Sequence, residues 1–209
     1  MEIERAYIAG SGFLNAWVAV MENHTRVMEV RDSDLRDAKI LIISAPTDRG
    51  IAALTEANCQ GESFLLCFSA EIEDIAQGYC RRRGISNLVT VVAPFSSIPS
   101  DKEVFDAVYA NCLFDLCDPR EVDVVVDEMW RVLKQGGHLY SVHMGQPSRM
   151  TGRVWAWFLR RFPAMSRGFR PVRVVPSLLN QGFSLVQDKA PERFGFPLRY
   201  IQAKKPMVA

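Results

Sequence analysis

His143, in "YSVHMGQP", is the side chain of this sequence best suited to accept a proton near neutral pH. It ends an apolar run, so it could stand at a sheet edge as a general base; the alternative is a histidine that hydrogen-bonds a neighbouring loop. Cys67, Cys112 and His143 together suggest a metal. A zinc site, however, needs three or four ligands converging at about 2.0–2.3 Å. The strands carrying the two cysteines should lie about 9–10 Å apart, so no metal is expected. The stretch "ILIISAPTDRG", Ile40 to Gly50, raises a different chemistry. It reads as strand, turn and helix start, the place where an α/β protein holds a nucleotide-like cofactor. Such turns favour glycine, but this one carries Ser44, Ala45 and Pro46. A third feature is "GRVWAWFLRRF", which sets Trp155, Trp157, Phe158 and Phe162 among Arg153, Arg160 and Arg161. It could lie in a lipid interface, close a substrate pocket as a lid, or pack its aromatic side on the core.

These residues need a scaffold, and the alternation of apolar patterns supplies one. "KILIIS", "SFLLCFS", "NLVTVVA", "VFDAVYANCLF" and "HLYSVHM" read as five strands. Between them lie helices starting at "GIAALTEA" and spanning "AEIEDIAQGYCRRRG" and "PREVDVVVDEMWRVLKQGG". Ile72, Ile75, Ala76 and Tyr79 follow a helical period and Gly84 ends it. The last helix has Pro near its start and two glycines past its end. Continuously apolar strands indicate a parallel sheet covered on both faces. The expected fold is α/β: a three-layer αβα sandwich, doubly wound and Rossmann-like, with a seven-stranded sheet whose last strand is antiparallel.

A single domain over 1–209 accommodates this. Residues 1–35 form N-terminal cover helices and 36–145 the core βα units. Residues 146–175 make a basic aromatic helical insert, and 176–209 the closing helix and strands. No apolar run reaches the roughly 18–20 residues of a membrane span. The start "MEIERAYIAG" lacks the basic residues of a signal peptide. The expected location is cytoplasmic, with contact to an anionic inner-membrane face through residues 149–173. Five cysteines with no CxxC pair argue against a disulfide framework. The net charge of +1 conceals a division: residues 1–128 hold 11 Lys/Arg against 22 Asp/Glu, and 129–209 hold 14 against 2. That dipole favours an anionic or acidic partner, or self-association into an oligomer. No nucleic-acid module is recognisable.

"FDAVYANCLFDLCDPREVDVVVDEMWRVLKQGGHLYSVHM" resembles the second half of the class I S-adenosylmethionine-dependent methyltransferases. The nearest branch acts on small molecules and is typified by ubiquinone and menaquinone biosynthesis. "DEMWRVLKQGGHLY" is the most specific element, supported by "IPSDKEVFDAVYA" and "RPVRVVPSLLNQGFSLV". The resemblance implies S-adenosylmethionine bound at the C-terminal ends of strands one, two and four. It places the methionine part on Ser44, Ala45, Pro46, Thr47, Asp48 and Gly50. The ribose falls to Cys67 and Phe68, the adenine to Pro94 and Phe95, with Asn111 at the end of strand four.

Carried over in this way, the positions depart from the family's pattern. Ser44, Pro46 and Asp48 stand where it has glycines, and Pro46 removes a backbone donor. Cys67 stands in place of the ribose-binding acid, and a thiol is a poor partner for two hydroxyls. Pro94 offers no acceptor for an adenine amino group. Three functions remain open. One is methyl transfer to a small lipophilic or anionic substrate, by aligning the reactants and excluding water. Another is a pseudo-methyltransferase working as a binding or scaffold subunit. The third reuses the fold for cofactor-independent chemistry.

Overall fold

Successive side chains of a strand point to opposite faces, so an uninterrupted apolar run must be covered twice. Strand β1, Lys39–Ile43, meets that condition: Ile40 and Ile42 enter one core cluster, Leu41 and Ile43 the other. A computed structural model of the chain describes residues 35, 37–45, 48–115, 117–147, 150–161, 171–190, 192–193 and 196–207. The expected cover helices, Pro46 and Thr47, and the insert residues 162–170 lie outside the described residues.

Five strands run parallel: β1, β2 (Glu62–Cys67), β3 (Leu88–Val92), β4 (Phe105–Asn111) and β5 (Leu133–Met144). β6 (Ser184–Lys189) and β8 (Phe196–Lys204) close the sheet, β8 running antiparallel to both β5 and β6. The order is β3-β2-β1-β4-β5-β8-β6, and the two-residue β7 (Glu192–Arg193) pairs with β8. The seven-stranded, doubly wound sheet with its antiparallel closing strand is therefore present. Helices α1 (Arg49–Ala57) and α2 (Ala70–Arg83) cover one face, through Ile51, Leu54, Ile72 and Ala76. Helix α3 (Val122–Val132) covers the other through Val122, Val125, Val126 and Met129. It is joined there by Leu178 of α5 (Val175–Gln181). Helix α4 (Met150–Arg161) packs on β8.

One boundary differs from the sequence reading. "VLKQGG" is not a helical end with glycines beyond it: α3 stops at Val132 and β5 begins at Leu133. The reason lies in the neighbouring chain. The N–H groups of Glu103 and Val104 donate to the carbonyls of Arg131 and Val132, at 2.8 and 2.9 Å. The buried Lys205 ammonium donates to the carbonyls of Trp130 and Leu133, at 2.9 and 2.8 Å. Those contacts satisfy the last carbonyls that a glycine cap would otherwise serve. The pairing of β5 with β4 is then irregular between Phe105 and Ala107, where "KQGG" is taken up. Gly84, in contrast, ends α2 as expected, in the left-handed conformation at φ 69°.

Candidate active site

The carboxyl ends of β1, β2, β4 and β5 meet at one edge, where an open α/β sheet binds its ligand. The turn after β1 is organised around Asp48. Its N–H donates to the Ala45 carbonyl at 2.9 Å, and its carboxylate accepts from Gly50 N–H at 2.7 Å. Asp48 is thus the N-cap of α1, and it is buried. The helix-start donor that could meet an anionic ligand is occupied by the chain's own carboxylate. Ser44 is buried with its hydroxyl 3.4 Å from the Ala45 carbonyl, and Ala45 is half-buried.

The turn after β2 has the same plan. Ser69 caps α2 by accepting from Ile72 N–H. Cys67 closes the strand, buried in the core cluster that holds Ile40, Ile42 and Ile72, with its sulfur 3.9 Å from the Leu65 carbonyl. Burial pushes this thiol up to about 12, with Glu73 adding to the shift, so it stays neutral at any physiological pH. Phe68 follows, and its ring meets Phe95 from the β3 side edge to face, with centroids 4.9 Å apart. Pro94, just before Phe95, is exposed. Two half-buried aromatic rings therefore stand at positions that the resemblance assigns to ribose and adenine.

Farther along the edge, Asn111 ends β4 and is buried. Cys112 follows at φ 55°, a conformation uncommon for a side chain larger than glycine, and its N–H donates to the Val142 carbonyl at 2.7 Å. That turn delivers Asp115, a carboxyl missed in the sequence reading. Asp115 is buried and accepts from Met144 N–H at 2.7 Å. Burial pushes it up to about 8, against the pull of that hydrogen bond, so it is largely protonated at pH 7. A neutral carboxylic acid can donate a hydrogen bond as well as accept one. The available signal was an acid placed inside the apolar run "CLFDLC".

His143 lies close by but does not suit the proton-accepting role expected of it. It is fully buried, with Nδ1 3.2 Å from the Ser141 hydroxyl and its ring against Phe114 at 6.1 Å. Burial first, then the Arg199 guanidinium, drives it down to about 3, while Asp188 opposes the shift. At pH 7 it is a neutral core residue. Cys67 and His143 also belong to opposite faces of the sheet, since Phe114 is part of the α3-side cluster. Among the described residues, no group of three or more His, Cys, Asp or Glu could hold a metal ion.

Residues 44–141 match the family profile of the methyltransferase domain. A demethylmenaquinone methyltransferase from Geobacillus sp. (strain WCH70) is 28% identical over 125 residues, or 59% of this chain and 53% of that protein. The chain thus spans about half the length of the curated relative it matches. An S-adenosylmethionine-dependent methyltransferase structure from Methanosarcina mazei superposes with a TM-score of 0.68 at 19% identity, covering 86% of this chain and 98% of that one. The chain shares the fold of that methyltransferase. The [4+2]-cyclase SpnF has the same fold, with a TM-score of 0.67 at 17% identity, covering 87% of this chain and 80% of its own.

S-adenosylmethionine is the ligand that the resemblance implies, but the described residues do not fit it in the manner the resemblance requires. Asp48 is engaged as a helix cap, Cys67 is a buried neutral thiol, and Phe68 and Phe95 present rings. Among the described residues carried over to the cofactor, none offers a free charged acceptor for the ribose or the adenine.

Proposed function

We propose that this chain is a pseudo-methyltransferase: it keeps the scaffold and serves as a binding subunit without transferring methyl groups. The observation that carries this reading is Cys67, a buried thiol held neutral where a ribose-binding carboxylate would have to stand. The cap formed by Asp48 and the ring pair of Phe68 and Phe95 support it. The charge division of the chain suits a partner protein of complementary charge, including an active homologue. That a fold neighbour is a cyclase supports separating this scaffold from methyl transfer.

A second reading keeps methyl transfer to a small lipophilic or anionic substrate. The named relative and the buried, protonated Asp115 favour it. Thermal-shift titration with S-adenosylmethionine and S-adenosylhomocysteine separates the two. A ligand at 100 times its dissociation constant stabilises a fold by about 2.7 kcal/mol. The expected result is no shift at millimolar ligand, with a stoichiometric partner on native purification. A saturable shift, or turnover of labelled methyl groups by a clean monomer, would overturn the proposal.

A further inference from the structure

Helix α4 carries an apolar stripe on its outer side. Met150, Val154 and Trp157 are spaced four and three residues apart, which places them on one face of a helix. They are 71%, 60% and 55% exposed. On the inner side Gly152 is buried, and Trp155 and Ala156 are half-buried. The exposed stripe is therefore not the face that docks the helix on the protein. Arg153 and Arg161 are exposed on the same helix. Between Glu128 and Asp188 the chain contains Lys and Arg but no carboxylate, so that span carries positive charge only.

Three properties select the occupant of this face. Tryptophan prefers the headgroup level of a bilayer, and arginine reaches from an apolar stem to phosphate. A helix of 12 residues is too short to span the roughly 30 Å hydrocarbon layer but can lie along its surface. A second copy docked two-fold on the same stripe would add the arginines of this helix and no carboxylate, so it offers no charge complementarity. We propose that helix α4 lies in the interface of an anionic membrane. Met150, Val154 and Trp157 enter the headgroup–acyl boundary, and Arg153 meets lipid phosphate. This surface is independent of whether the crevice transfers methyl groups.

The test is flotation of the full chain with vesicles containing phosphatidylglycerol, beside vesicles of phosphatidylcholine alone. The chain is expected to float with the anionic vesicles only and to be released by high salt. Met150→Ser/Val154→Ser/Trp157→Ser and, separately, Arg153→Glu should each lower the bound fraction about tenfold. Circular dichroism of both variants checks the fold. If the triple variant is misfolded, Trp157→Ser alone must still weaken binding. The proposal is overturned by absent flotation, by equal flotation on phosphatidylcholine, or by folded variants that float like the parent. A dimer that the triple variant dissociates, with no flotation of the parent, would assign the stripe to self-contact instead.

Discussion

Along the carboxyl edge of the sheet, the β1-β2-β3 half and the β4-β5 half bury different chemistry. The first half ends in Cys67, Phe68 and Phe95, and its carboxylate, Asp48, is tied to a helix start. The second half holds Asn111, Asp115, Ser141 and His143, all buried. The half to which the resemblance assigns the cofactor holds a neutral thiol, aromatic rings and a capped carboxylate, while the adjacent half buries a carboxyl and an imidazole held neutral by desolvation. A carboxyl and an imidazole in the same surroundings move in opposite directions, because burial penalises whichever form is charged. The comparison separates what keeps a fold from what keeps a cofactor. The sheet depends on apolar alternation, but the cofactor depends on a few charges and glycines in the turns.

Alkylation gives the largest contrast. Exposed Cys59 should react with iodoacetamide at least about a hundredfold faster than Cys67 in the folded chain, as followed by mass spectrometry. Comparable rates would mean that the β2 end is open to solvent.

The second contrast is in pH. Folded Asp115 keeps its proton up to about 8, above its ordinary range, so its contribution to stability falls as pH rises towards 8. Folded His143 refuses a proton until about 3, whereas the unfolded imidazole accepts one near 6.5, so its contribution falls as pH drops through that range. The two slopes oppose one another between about pH 4 and 6.5, and of the pair only Asp115 acts from 6.5 to 8. Urea denaturation should show a loss of roughly 2 kcal/mol over that upper window, absent in Asp115→Asn. A parent protein as flat as the variant would remove Asp115 from the comparison.

Smaller effects sharpen the first half. A double-mutant cycle on Phe68→Ala and Phe95→Ala should return a coupling of about 1 kcal/mol. No coupling would mean that the two rings do not hold one another at the ends of β2 and β3. Asp48→Ala should cost about 1 kcal/mol through the lost cap, and Asp48→Gly only a few tenths, roughly. An equal loss in both would show that Asp48 acts through something other than the cap.

Much of the scaffold was legible because burial on two faces leaves a continuous apolar run, as in "KILII" and "FDAVYA". The end of α3 was misread because its carbonyls are satisfied by Lys205, Glu103 and Val104, and "KQGG" alone looks like a cap. The substitutions at Ser44, Cys67 and Pro94 were visible as residue types, but that Asp48 would close on Gly50 was not. His143 looked poised for chemistry because its sequence position says nothing about the Phe114 ring and the desolvation around it. The order of apolar and polar residues was enough for strands, helices and their winding, since those follow local periodicity. Which ionisable groups are buried, and in which protonation state, was decided only when distant segments packed, because desolvation and distant hydrogen bonds belong to the folded chain.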